Sequence, residues 1–285
     1  MVMVQEYDTS RENAWCPGCG NFPILEVLKS TLATLGLSPH DVLVVSGIGQ
    51  AGKLPQYMRV NMFNVLHGRT LPVATAAKIA NHRLTVLAVG GDGDGYAEGG
   101  NHLIHAIRRN VDVTYMVHNN QIYGLTKGQA SPTTDAGSTT ATTPHGNPFE
   151  GLNPIALALG LKTSFVARGF SGNKTQLAKI LKMAIEHRGF SFVDILQPCV
   201  TFNRVNTYAW YAERVYDVNG IGHNPSDLAD AFSLAGEWGE RIPTGIFYTS
   251  DKTVFHEAVL GPDSIPLVEK VPDPKKVEAL FEEFL

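Results

Sequence analysis

The sequence predicts an α/β protein with a mostly parallel sheet flanked by helices, and three observations point there. Two short apolar runs, 84–89 and 113–117, enclose a helix-length segment, which is the pattern of a βαβ unit with parallel strands. The first run stops at Gly-Gly-Asp-Gly-Asp (90–94), and the second is followed at once by Asn119-Asn120. Both features therefore fall at the carboxyl ends of strands, where open α/β sheets bind their ligands. Further strand candidates at 42–46 and 190–196 are also followed directly by glycines, amides or cysteine.

Taken in order, residues 22–35 form a helix with Pro23 in its first turn and Gly36 as its stop. The run 42–46 is a buried strand ending in Gly47-Ile-Gly-Gln-Ala-Gly52-Lys53, whose glycines mark a close backbone approach. A helix at about 72–80 precedes the strand at 84–89. After the central unit, 153–159 is helical, 163–167 extended, and 174–187 an amphipathic helix with Leu177, Ile180, Leu181 and Ala184 on one side and Gly189 beyond its end. The strand 190–196 leads to Gln197-Pro198-Cys199. Residues 1–200 are thus expected as the main α/β domain. Residues 201–285 are expected as an extension packing on the core or on a partner, with a helix at 226–238, a strand at 245–249 and a terminal helix after four prolines.

With 285 residues the chain can bury a substantial core. Its net charge of −4 and lack of a basic run argue against nucleic acid as a partner. No apolar stretch approaches the ~20 residues that span a bilayer, and the start lacks a basic region followed by an apolar one, so a cytoplasmic protein is expected. Three cysteines are too few for a disulfide framework. Cys16-Pro-Gly-Cys19 on its own is a redox dithiol, half of a metal site or a chance pair. A redox helix would follow a strand, and none precedes it here.

The central stretch suggests a diphosphate held through a divalent cation. In Gly91-Asp92-Gly93 the missing side chains let backbone N–H groups approach phosphate oxygens. Asn120 lies 28 positions after Asp92, about one βαβ return. A carboxylate, an amide oxygen and a backbone carbonyl suit Mg²⁺. Gly-Asp-Gly alone is better explained as a tight turn, and it is the Asn pair at this spacing that makes the pattern specific. It resembles the thiamine diphosphate (ThDP) motif. Taken singly, Lys53 is explained by a βα turn with a solvated charge, and His67-Gly68-Arg69 is explained better by a turn with a surface charge than by phosphate contacts. The stretch 130–143, rich in Ser, Thr and Ala, reads as an ordered or ligand-covering loop, since motifs flank it.

With WCPGCG, SGIGQAGK, HGR, GGDGDGYAEGGNH, NNQIYGLTKGQASPT and QPC in this order, residues 11–210 resemble the β subunit of 2-oxoacid:ferredoxin oxidoreductases. The resemblance implies a ThDP-binding fold that joins an α subunit and turns a 2-oxoacid, coenzyme A (CoA) and oxidised ferredoxin into acyl-CoA, CO₂ and reduced ferredoxin. It implies Asp92, Asn120 and the Ile122 carbonyl as Mg²⁺ ligands, with Gly91, Gly93, Asp94 and Gly124 lining the cofactor and His67 and Arg69 near the cofactor and CoA. Leu125 and Lys127 fall at the 2-oxoacid, and Lys53 at another basic position of the site. Cys16, Cys19 and Cys199 match three ligands of a four-iron, four-sulfur cluster (4Fe-4S), but Gln50 stands at the usual position of the fourth cysteine. An amide is a poor donor to iron, so the fourth ligand is open, and a three-iron cluster, no cluster at all, or zinc on three thiolates are the alternatives. The carboxylate that activates the cofactor is expected from the α subunit, so the chain alone is expected to be inactive. Lys127 tilts the substrate towards 2-oxoglutarate over pyruvate. The rival readings are a non-oxidative ThDP decarboxylase or carboligase, which leaves the cysteines without a purpose, and a non-catalytic ThDP-binding subunit.

Overall fold

The computed structural model describes residues 2–283. In chain order the strands are β1 (Val42–Ser46), β2 (Asn61–Asn64), β3 (Thr85–Gly91), β4 (Val113–Asn119), β5 (Ile122–Tyr123), β6 (Gln129–Ala130), β7 (Phe165–Phe170), β8 (Phe190–Leu196), β9 (Val215–Asp217) and β10 (Ile242–Thr249). The helices are α1 (Asn21–Thr34), α2 (Thr70–Ala80), α3 (Gly100–Arg109), α4 (Pro154–Gly160), α5 (Lys174–Glu186), α6 (Tyr208–Ala212), α7 (Leu228–Ala235), α8 (Phe255–Leu260) and α9 (Pro274–Glu282). One eight-stranded sheet has the order β2-β1-β3-β4-β8-β7-β10-β9, and β5 pairs with β6 in a separate hairpin. The six strands from β2 to β7 along the sheet run parallel. β10 joins β7 antiparallel, and β9 runs parallel to β10.

The central strands are apolar at nearly every position because both faces of the sheet are covered. All seven residues of β4, and all seven of β8, are buried. Alternate residues feed two cores. Leu87 and Val89 face one that contains Ile24 and Leu28 of α1 and Leu177 and Leu181 of α5. Val86 and Ala88 face the other, with Leu71, Leu103, Ile155 and Ala231 from α2, α3, α4 and α7. Local signals set the ends of these helices. The Asn153 and Asn173 side chains accept from the main-chain N–H groups of Ala156 and Gln176 at the N-termini of α4 and α5. Asn110 closes α3 in the left-handed conformation.

Several expectations shift in detail. The apolar runs expected as strands at 84–89 and 113–117 extend to Gly91 and Asn119, so the functional residues sit directly at the strand ends. The strand expected at 163–167 starts two residues later, and the helix expected at 226–238 shrinks to α7, capped by the Asp227 carboxylate. The helix expected directly after the glycine-rich turn is preceded by a π-helical turn at Gly93–Glu98. β2 and β9 have no counterpart in the sequence reading. β2 is an exposed edge strand, Asn-Met-Phe-Asn, and carries no period that marks burial. Residues 201–260 share the packing of the rest, since β10 lies in the same sheet and α7 packs in the second core, whereas α9 buries none of its residues. Among the described residues, no helix is long and apolar enough to cross a membrane.

Candidate functional site

Parallel pairing places the carboxyl ends of β1, β3, β4 and β8 side by side along one rim. Gly91 is in register with His118, so Asp92 and the Asn119-Asn120 pair emerge next to each other. Asp92 is 1% exposed. Its Oδ2 accepts from the hydroxyls of Ser131 at 2.5 Å and Thr133 at 2.7 Å, and the Asn120 main-chain N–H faces the same carboxylate. Burial nevertheless dominates and pushes the Asp92 carboxyl up to about 6. A carboxylate kept this dry calls for a proton or a cation.

The Asn120 side chain is oriented at both ends. Its Oδ1 accepts from the Ile122 N–H at 3.1 Å, and its Nδ2 donates to Gln197 Oε1 at 3.0 Å. The cleft beside these two residues is bordered by Gly91, Gly93, Asp94, Ile122, Gly124 and Leu125, by His67, and by Gln50 from the loop after β1. Tyr123 closes one wall. A Cβ on Gly93 would come within 2.2 Å of its ring, so only glycine lets the ring lie over the turn. The Tyr123 hydroxyl reaches Glu98 Oε2 at 3.2 Å, and the same carboxylate meets His67 Nδ1 at 3.1 Å.

Three of the expected residues do not border the cleft. Arg69 is exposed and pairs with His102 at 2.7 Å. Lys53 is half-buried in a short 3-10 segment, and Lys127 is exposed with φ of 78° at the end of the hairpin loop. Asp94 borders the cleft, but its Oδ1 accepts from the main-chain N–H groups of Ile48 at 3.0 Å and Gly68 at 2.9 Å. That carboxylate clasps the loops after β1 and β2 to the glycine-rich turn. Burial raises its pKa and those N–H donors oppose the rise.

The cysteines gather in an adjoining hollow. The loop at 15–20 folds back so that Gly20 N–H donates to Pro198 O at 3.2 Å and Trp15 Nε1 donates to Gln50 O at 2.8 Å. Cys16, Cys19, Cys199 and Gln50 line this hollow together with Asn120 and Gly124, which also border the cleft. Cys19 Sγ receives an N–H from Gln197 at 3.6 Å, and Cys199 Sγ one from Phe202 at 3.5 Å. Burial, with smaller contributions from the other two sulfurs, pushes the Cys19 thiol up to about 11. Gln50 Oε1 is buried without a partner. Among the described residues, no three His, Cys, Asp or Glu side chains stand close enough to hold a single metal ion.

Sequence reasoning missed the residues that support this rim. Ser131 and Thr133 fall in the loop read as ligand-covering, and the only hint of their role is hydroxyls shortly after the Asn pair. A buried chain of polar groups lies behind them. Asp194 in β8 accepts from Tyr96 at 2.8 Å, Asn119 at 3.0 Å and Arg168 Nε at 2.9 Å. A separate cavity of about 500 Å³ lies on that side, walled by Arg168, Trp210 and Trp238. It takes in none of the glycine-rich turn, so the smaller cleft is the one at which the strand ends converge.

Comparison with known proteins gives a consistent picture. Residues 47–195 match the family described as thiamine pyrophosphate enzyme, C-terminal TPP binding domain. Residues 199–261 match the family described as the C-terminal part of the pyruvate ferredoxin oxidoreductase beta subunit. The chain is 43% identical over 272 residues to the 2-oxoacid:ferredoxin oxidoreductase subunit beta of Saccharolobus solfataricus, covering 91% of this chain and 89% of that one. It is 44% identical over 257 residues to a 2-oxoacid:ferredoxin oxidoreductase subunit beta of Aeropyrum pernix, covering 87% and 81%. Among solved structures it resembles the 2-oxoglutarate:ferredoxin oxidoreductase from Magnetococcus marinus, determined with 2-oxoglutarate, coenzyme A and succinyl-CoA bound. That likeness has a TM-score of 0.89 at 36% identity and covers 98% of this chain and 96% of that one.

Proposed function

This chain belongs to the β subunits of 2-oxoacid:ferredoxin oxidoreductases, and from that membership we propose how it holds its cofactors and which substrate it serves. In our reading Asp92, Asn120 and the Ile122 carbonyl bind Mg²⁺, and the ion secures the diphosphate of ThDP against the Gly91–Gly93 turn. The observation that carries this is the buried Asp92 carboxylate beside Asn120 at adjoining strand ends. A carboxyl raised to about 6 by burial is stabilised in its ionised form by a divalent cation, and the donor set of hard oxygens fits Mg²⁺. Ser131 and Thr133 fix the rotation of that carboxylate. Bound ThDP supplies the nucleophilic carbon and electron sink for decarboxylation.

The enclosed part of the cleft is about 80 Å³, well below the ~300–1,000 Å³ of sites that engulf a drug-sized ligand. The chain therefore grips the metal-diphosphate end, and the rest of the cofactor is left for an α subunit to cover. That division explains why no carboxylate for the cofactor's ring is needed here. Glu98, an exposed acid beside the cleft residues His67 and Tyr123, is already engaged with both.

Cys16, Cys19 and Cys199 are assigned to an iron–sulfur cluster, 4Fe-4S by preference. Each cysteine of such a cluster binds a different iron, so its sulfurs need not meet around one ion, which fits their spacing here better than zinc does. Two of the sulfurs already receive N–H groups, as cluster thiolates do. Gln50 brings its unpartnered amide oxygen to the same hollow, where a fourth cysteine usually stands. The fourth iron then takes a non-cysteine ligand, or the cluster has three irons.

The substrate favoured is 2-oxoglutarate. Leu125 borders the cleft, and Lys127 stands on the same loop as a cation for a distal carboxylate. Lys53 and Arg69, outside the cleft, are assigned to anionic parts of substrate or CoA only once the α subunit is in place. The deciding experiment is ferredoxin reduction by the complex with its α subunit, assayed side by side on 2-oxoglutarate and pyruvate with and without CoA. Faster CoA-dependent reduction with 2-oxoglutarate supports the reading. CO₂ release without ferredoxin reduction would sink the oxidoreductase assignment, and a preference for pyruvate would sink the substrate.

A further inference from the structure

We propose that Gln197 is a positioning residue that couples the metal-diphosphate site to the cysteine cluster, so that occupancy of the first adjusts the reduction potential of the second. The inference rests on the cofactor reading above, since it requires both groups to be bound by this chain.

Gln197 is the first residue after β8 and is 1% exposed. Its Oε1 accepts from Asn120 Nδ2 at 3.0 Å. Its Nε2 donates to Pro198 O at 2.8 Å and to Cys19 Sγ at 3.6 Å, which uses both of its hydrogens. Main-chain partners fix the orientation of both amides. The Pro198 carbonyl can only accept, so the end of Gln197 that meets it is the NH₂. The Ile122 N–H can only donate, so the end of Asn120 that meets it is Oδ1. Donors therefore run one way, from the Asn120 amide through Gln197 to the Cys19 sulfur.

The bridge cannot swing aside. The Gln197 main-chain N–H donates to Asn119 O at 2.8 Å, tying the residue to the end of β4. Gly20, next to Cys19, lies against its side chain, where a Cβ would come within 2.8 Å of Gln197 Cγ. The absent side chain at Gly20 is what lets the cysteine loop close over the amide.

A cation on Asn120 Oδ1 draws electron density from that amide and makes its Nδ2–H a stronger donor. The Gln197 amide is polarised in turn, and its N–H towards sulfur strengthens. A hydrogen bond to a cluster thiolate favours the more negative, reduced cluster and raises its potential. Loading Mg²⁺ and ThDP should therefore make the cluster a better electron acceptor. By linkage, reducing the cluster should tighten binding of the metal and cofactor.

The test uses the complex with its α subunit, purified without oxygen. Its cluster is titrated by electron paramagnetic resonance with and without Mg²⁺ and ThDP. In the native complex the midpoint potential should rise when the cofactor is added. In Gln197→Leu the equilibrium constant for reduction should fall about tenfold, which is about 59 mV for one electron, and the response to cofactor should vanish. Gln197→Glu, read in alkaline buffer that keeps its carboxyl ionised, keeps the acceptor for Asn120 but not the donor for sulfur. It should bind Mg²⁺ and ThDP with near-native affinity while its potential is lowered and unresponsive, which separates loss of coupling from loss of fold. An intact cluster with native potential and native response in either variant overturns the inference alone, as does a native cluster indifferent to cofactor. A native complex with no iron and sulfide overturns the cluster assignment and the inference with it.

Discussion

Thr133→Val removes one hydroxyl from the buried surroundings of Asp92 and leaves the local volume almost unchanged. The Thr133 hydroxyl lies 2.7 Å from Asp92 Oδ2 and 2.9 Å from Asn119 Oδ1. It has one proton, and the ionised carboxylate takes it. A hydrogen bond to a charged group is worth about 1.5–3 kcal/mol. The cofactor-free protein loses less than this, because a carboxyl already raised to about 6 relieves the loss by taking a proton. Metal binding has no such escape, since it needs the ionised and correctly rotated carboxylate, and removal of an outer partner of a ligand costs about 10–100-fold in affinity. The expected outcome is that Mg²⁺-dependent ThDP binding, followed by quenching of protein fluorescence at neutral pH, weakens about 10–100-fold. Thr133→Ser should stay close to native. The lost donor also raises the Asp92 pKa further, so more alkaline buffer should recover part of the affinity in the valine variant. Binding within about twofold of native would refute the role given to Thr133 and weaken the case for Asp92 as a ligand.

Other outcomes follow from the same geometry. The folded-state pKa of Asp92 is raised from 3.8 to about 6, so its contribution to stability is fully present below 3.8 and is lost as pH rises through about 6. That loss is about 3 kcal/mol, and Mg²⁺ should cancel it, so the gain in Tm on adding Mg²⁺ and ThDP should be larger at about pH 8 than at about pH 5; an equal gain at both would count against the assignment. Asp194→Ala strands the buried Arg168 guanidinium, whose Nε bonds the Asp194 carboxylate at 2.9 Å. It should destabilise the protein by about 3–5 kcal/mol in urea unfolding, and a change below about 1 kcal/mol would show that the pair is not a buried charge pair in solution. Lys127→Ala should raise KM for 2-oxoglutarate more than for pyruvate in steady-state assays of the complex, and equal effects on both would dismiss Lys127 as the partner of a distal carboxylate.

Asp92 and Asn120 could be read together from the sequence because each lies directly after an apolar run, and parallel pairing fixes where such positions go. The same logic placed Gln50 and Cys199 on one rim. That logic does not extend to a partner set by side-chain direction rather than by position along a strand. Asp94 follows Asp92 by two residues, yet its carboxylate clasps two loops through Ile48 and Gly68. Arg69 pairs with His102 and does not border the cleft. Ser131, Thr133 and Gln197 left no periodic trace, because a single hydroxyl or amide in a loop gains its meaning only from the group it meets.

From its sequence alone the chain was bound to a mostly parallel α/β sheet, to a carboxylate and an amide at neighbouring strand ends, and to three thiols in two separate segments. Short-range rules sufficed there, since hydrophobic period and turn chemistry act over a few residues. Folding decided which polar groups share a dry interior, and with that the raised Asp92 carboxyl, its two hydroxyl donors and the Gln197 bridge. Those properties arise from burial and from contacts between distant segments, which come into being only when the chain closes on itself.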